Sequence, residues 1–167
     1  MAELTNLESK LGEVLGLAMA AQGATKKVQR LVEEEGEHEA LVGQLEKMRE
    51  EAAETEARCE ELAGSLDGKK TAILEKAREV KGEATEMMET YLGDDADALD
   101  GFEFLTMAEA GEVGHWKIVG VLGENAGDRK VQELVEWATP IQERHFDAVQ
   151  KASLTLAAEE DPNEVAE

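Results

Sequence analysis

Glu109 and Glu112 stand three residues apart in a stretch whose apolar residues recur every three or four positions, so both fall on the stripe that a helix there turns inward. A leucine at either place would stabilise a helical core, whereas an ionised carboxylate costs several kcal/mol unless it is paired. Gln142 and His145 repeat the spacing further along and aim an amide and an imidazole from one helix face. Gln22 lies beside the apolar stripe of the first segment, and Glu51 and Glu54 add carboxylates from the second. Polar groups entering a helical bundle at mid-height from several helices are the arrangement that holds carboxylate-bridged metal pairs. Loaded with iron or manganese, such a centre would carry out redox and Lewis-acid chemistry on oxygen or peroxide. The other rotation of the same helix turns both glutamates to solvent and brings Ala108, His115 and Ile118 inward.

Positioning these side chains requires an all-α chain. Only two prolines occur, Pro140 and Pro162, and nowhere do apolar and polar residues alternate over a strand's length. Leu4, Leu7, Leu11, Val14, Ala18, Ala21, Thr25, Val28 and Val32 step along one helix face, with Thr5 and Glu8 as a capping box and Gly36 as the break. His38, Leu41, Leu45, Met48, Ala52, Thr55, Cys59, Leu62 and Leu66 repeat the pattern up to a turn at Ser65 to Gly68. The short break between these two segments favours an antiparallel hairpin. A lesser helix through Ile73, Ala77, Val80, Ala84, Met87 and Tyr91 ends near Gly93 and links the two halves. Ala98, Phe102, Leu105, Glu109, Glu112, Trp116 and Val119 mark the next long helix, with Gly123 as its stop. The last, capped by Asp128, carries Val131, Leu134, Ala138, Ile141, His145, Val149 and Ala152 and is expected to kink at Pro140. Residues 1–156 thus predict an antiparallel four-helix bundle with an additional helix in its long connection. Residues 157–167 predict a disordered acidic tail, since five acids fall within Glu159 to Glu167. An extended coiled coil is the rival architecture, opposed by the break at Gly36 and by glycines 111, 114, 120 and 123.

Several other groupings have plainer readings. Glu35 with His38 and Glu112 with His115 share the Glu-x-x-His spacing of metal-carboxylate bundles, yet His38 sits at a hairpin turn, and Glu112 would serve two competing sites. Asp94, Asp95, Asp97 and Asp100 resemble a calcium loop, but Leu99 displaces one oxygen ligand by a residue, so capping by Asp97 or Asp100 is the better reading. Met19, Met48, Met87, Met88 and Met107 read as gap-filling core, Trp116 and Trp137 as contact area, and Cys59 as a small buried residue. The glycine-containing segment Gly123 to Gly127 follows no strand and precedes no suitably spaced lysine, which leaves a helix-to-helix turn rather than a phosphate loop.

Length and charge narrow the partners. The 167 residues hold 39 acids against 17 lysines and arginines, a formal charge of -22, and 42% of them are hydrophobic. That apolar fraction supports one folded domain, while the charge repels nucleic-acid phosphates and anionic lipid. One cysteine forms no internal disulfide, and no signal-peptide pattern opens the chain, so a cytoplasmic location is expected. A homodimer or a protein partner is expected to use a locally apolar helix face.

The order of these helices resembles the ferritin-like proteins of the YciE and YciF type, over most of Leu11 to Leu156. Ala21-Gln22-Gly23 is similar to that family's Ala-Glu-Lys segment, and Glu54 to Leu62 to its Glu-Thr-x-x-Gln/His-x-x-x-Leu signature. Glu109-Ala110-Gly111-Glu112-Val113 is similar to its Glu-x-x-Glu-Ile pattern. The resemblance implies a dinuclear iron or manganese centre and a stress-associated role. It also implies a glutamate where this chain has Gln22, a glutamine or histidine where it has Arg58, and a glutamate where it has Gln142. A centre with those departures is degenerate: Glu54, Glu109, Glu112, Gln142 and His145 remain as metal-ligand candidates. Arg58, permanently cationic, is expected to replace the metal charge by forking onto Glu54 and onto Glu109 or Glu112.

Overall fold

The capping box at the first helix is present. The Thr5 hydroxyl accepts from the Glu8 amide at 3.2 Å and the Glu8 carboxylate accepts from the Thr5 amide at 2.8 Å. These contacts start α1 (Asn6–Glu35), which Gly36 ends at φ 77°, a left-handed conformation that a β-carbon disfavours. α2 (Glu39–Ser65), α3 (Lys70–Tyr91), α4 (Ala98–Ala126) and α5 (Arg129–Ala157) follow in the computed structural model, which describes residues 2–165. Asp97 and Asp128 cap α4 and α5 through the amides of Asp100 and Val131. The aspartates before α4 are therefore helix-start residues, with Asp100 closing a capping box on Asp97.

α4 does not stop at Gly123. It runs to Ala126 and takes its left-handed cap at Gly127, φ 62°. Gly123 is instead a close-approach residue: a Cβ there would lie 2.7 Å from Val131 Cγ1 across the α4/α5 hairpin. α5 passes through Pro140 as one helix. On this helix Gln142, not Ile141, occupies the buried stripe between Ala138 and His145. Beyond it, residues 158–165 contain turns and are exposed, and the end of the expected acidic tail, residues 166 and 167, lies outside the described residues.

Contacts along the helices set their directions. α1 and α2 form the expected antiparallel hairpin, and so do α4 and α5, where Thr106 meets Ser153 at one end and Gly123 meets Val131 at the other. α4 also runs antiparallel to α1, and α2 to α5, so the four long helices make a square of antiparallel neighbours. α2 and α4, on the diagonal, therefore point the same way, and the link between them must return along the bundle. α3 does this over 22 residues, about 33 Å, lying parallel to α1 with Gly12 against Ile73 and Lys76 and Gly16 against Ala77 and Val80.

The buried interior has two apolar parts. Leu15, Cys59, Ile73, Trp116, Val119 and Val131 fill one end, and Val28, Leu45, Met48, Phe102, Leu105 and Val149 fill the other. Between them lies a layer containing the buried polar residues Thr25, Thr55, Glu109, Glu112, Gln142 and His145. No helix among the described residues is long and apolar enough to cross a membrane.

Candidate functional site

Glu109 and Glu112 retain only 1% and 4% exposure, so the inward rotation of α4 is the one adopted. Gln142 bridges them: its Nε2 donates to Glu109 Oε2 at 3.0 Å and to Glu112 Oε2 at 2.9 Å. His145, one turn further along α5, places Nδ1 3.7 Å from Glu109 Oε2 and Nε2 3.5 Å from Glu51 Oε1. Its Nε2 is buried and makes no hydrogen bond. Burial first, and the charge of Glu109 second, push the Glu112 carboxyl well above the usual carboxylate range. The layer therefore holds a carboxyl that resists ionisation beside a neutral amide and an imidazole.

Glu51 is anchored from the far side. Arg144 clasps it with two parallel hydrogen bonds, 2.9 and 2.8 Å, and these hold its carboxyl below the usual range. Arg144 was not legible as a partner, because the pair is 93 residues apart in sequence and meets only through the α2/α5 face.

Three expected members, Glu54, Arg58 and Gln22, lie outside the layer. Glu54 is exposed and accepts from Arg58 Nε and Nη2, an intrahelical pair one turn apart. The Arg58 guanidinium lies over the Trp137 ring, 4.1 Å from its centroid. Arg58 thus reaches Glu54 as expected but not Glu109 or Glu112, because cation–π contact and water at the α2/α5 surface are accessible without desolvating the charge. Gln22 hydrogen-bonds Glu56 and the Ala18 carbonyl, closing the α1/α2 seam beside the layer. The two Glu-x-x-His spacings are not metal pairs either. Glu35 accepts from the Ala98 amide while His38 faces Glu159, and His115 faces Glu13 rather than Glu112.

From the opposing helices the one acid that reaches the layer is Glu51 of α2, already clasped by Arg144. Thr25 and Thr55 complete the layer from α1 and α2, and each hydroxyl donates to a carbonyl one turn back in its own helix, Ala21 and Glu51. In the sequence Thr25 and Thr55 are only stripe positions, since nothing in their spacing distinguishes a hydroxyl that spans a polar layer from a filler. A dinuclear metal pair does not fit these residues. Glu109 and Glu112 come from one helix and share an amide proton donor, Glu51 is taken by Arg144, and no group of three or more His, Cys, Asp or Glu among the described residues is disposed to hold one ion.

Cys59 is buried in the apolar end of the bundle, and burial with Glu56 and Glu60 nearby pushes its thiol up to about 12, which leaves it inert as a nucleophile. Glu109 and Glu112 also line a cavity of about 710 Å³ between α1, α3 and α4. No family model, curated protein or solved structure matches this chain.

Proposed function

We propose that this is a ferritin-like helical bundle whose metal centre has been reduced to a hydrogen-bonded carboxylate–amide–imidazole layer, so that it serves as a binding or scaffold protein rather than an oxygen-activating one. The bridge from Gln142 Nε2 to both Glu109 and Glu112 carries this reading, because a donor amide joins one oxygen of each acid in the place where a bridging cation would otherwise sit. The order of helices, with α3 returning along the bundle between two antiparallel hairpins, supports the ferritin-like assignment. The cytoplasmic, stress-associated setting comes with that assignment.

Elemental analysis of protein purified without chelator, followed by iron(II) or manganese(II) addition, tests the reading. The expected result is far less than one metal per chain and no shift in melting temperature. In Gln142→Glu, which restores a carboxylate, metal uptake is expected to rise above wild type. Near-stoichiometric metal with a raised melting temperature in the wild-type chain would establish the active metalloprotein instead.

A second reading, self-association, has its own observation. Met107, Ile118 and Val121 are 53%, 45% and 59% exposed on one face of α4, with the exposed Gly111 and Gly114 between them. A second copy of this face would bury the apolar side chains, and the glycines would let the helix backbones approach. Sedimentation over a concentration series is expected to show a dimer that Ile118→Glu dissociates, whereas a monomer at all concentrations would rule the face out.

A further inference from the structure

Small side chains create the cavity between α1, α3 and α4. Ala20, Gly23 and Ala24 of α1, Ala84 of α3, and Ala108 and Gly111 of α4 leave room that larger residues would fill. Its volume, about 710 Å³, falls in the range of sites that enclose a small organic molecule. Met19, Met88, Phe104 and Leu105 give it adaptable apolar walls. Lys26, Lys81, Met87 and Met107 are exposed and stand at its mouth, while Glu109 and Glu112, almost inaccessible, stand at its deep end.

Each of those carboxylates receives the Gln142 amide on Oε2, and neither Oε1 has a hydrogen-bond donor within the protein. Each residue thus brings to the cavity it lines a carboxyl oxygen that no protein group donates to. We propose that the cavity binds a small amphipathic organic cation, an alkyl or aryl amine, with its ammonium on the Glu109 carboxylate beside Glu112 and its apolar body against the methionine-lined walls.

The alternatives match fewer of these features. A bare metal ion would leave the apolar volume unused and lacks a converging donor set. An organic anion would meet two acids at the deep end, and a neutral apolar molecule would leave the same oxygens unpaired. Lys26 and Lys81 are solvated at the rim, where their repulsion of a cation is screened; Arg49, half-buried in the same lining, donates to Gln29, Glu56 adds a further acid, and the excess of negative charge on the whole chain favours a cation's approach.

The assignment rests on the metal-free reading of the glutamate pair, and titrations with octylamine, 1-octanol and octanoate, followed by calorimetry and melting temperature, test it. Octylamine is expected to bind saturably at one site and to raise the melting temperature, with 1-octanol at least tenfold weaker and octanoate weaker still. Glu109→Gln/Glu112→Gln is expected to weaken octylamine about ten- to hundredfold while leaving 1-octanol unchanged. Ala84→Phe, which fills the wall without touching the acids, is expected to weaken both. Equal binding of all three probes, no saturable octylamine binding, or octylamine binding that persists in the double glutamine variant would overturn the proposal. Manganese(II) added alone keeps the two failures apart: its near-stoichiometric binding would overturn the metal-free reading, whereas absence of both metal and amine binding would overturn the amine site only.

Discussion

Glu112 is where pH acts most directly on the fold. Burial and the neighbouring Glu109 hold its carboxyl well above the usual range, so in the native chain it keeps a proton that the unfolded chain releases once pH passes about 4.3. Between those two pH values the unfolded state binds fewer protons, and stability falls as pH rises. Glu112→Gln keeps an acceptor for the Gln142 amide and abolishes this penalty. It is expected to unfold like wild type at pH 5 and to be about 1–3 kcal/mol more stable at pH 8, as measured by urea melts. A variant no more stable than wild type at pH 8 would show that the carboxyl titrates normally. Arg58→Leu is expected to lose less than about 1 kcal/mol, because its pair with Glu54 is half exposed and the main loss is contact with Trp137; thermal melts decide this. The three-residue spacing of Glu109 and Glu112 made their burial legible, but the partner of each charge was not. Arg58 found an aromatic face nearby in space, and Arg144 found Glu51 across 93 residues.

At the scale of elements, the seam between α1 and α3 depends on missing side chains. A Cβ on Gly16 would lie 2.4 Å from the Ala77 carbonyl oxygen, which is backbone and cannot rotate away. Gly16→Ala is therefore expected to destabilise the chain by about 1–3 kcal/mol, despite alanine's higher helix propensity. Gly111→Ala gives the contrast. A Cβ there meets nothing within 4 Å, and the variant is expected to be about 0.5–1 kcal/mol more stable. Thermal melts of the two single variants with opposite signs would confirm that position, not residue type, decides. In the sequence, Gly12, Gly16, Gly111 and Gly123 look alike, as residues that weaken a helix. Their roles separate only when a second helix is placed against them, which also explains why Gly123 lies inside α4 and Gly127 ends it.

Across the whole molecule, a formal charge of -22 on 167 residues opposes compaction by self-repulsion. Raising sodium chloride from about 0.01 M to about 0.5 M, which shortens the screening length severalfold, is expected to raise the melting temperature. A melting temperature unchanged or lowered by salt would mean that local ion pairs such as Glu51 with Arg144 outweigh the net repulsion. Helices, their starts at Thr5, Asp97 and Asp128, and most of the apolar stripes of α1, α2, α4 and α5 were determined by the sequence itself, because caps and three- and four-residue steps act within one or two turns of chain. Met87 and Tyr91 of the expected α3 stripe and Met107, expected in the core, are exposed instead, because no further helix covers them. Tertiary structure alone decided that Gln142 would bridge Glu109 and Glu112, that Thr25 and Thr55 would face them without ligating, and that α3 would stand away from α4 to leave a cavity. Those outcomes depend on the rotation and separation of helices distant in sequence, which are settled by how side chains from several of them share one volume.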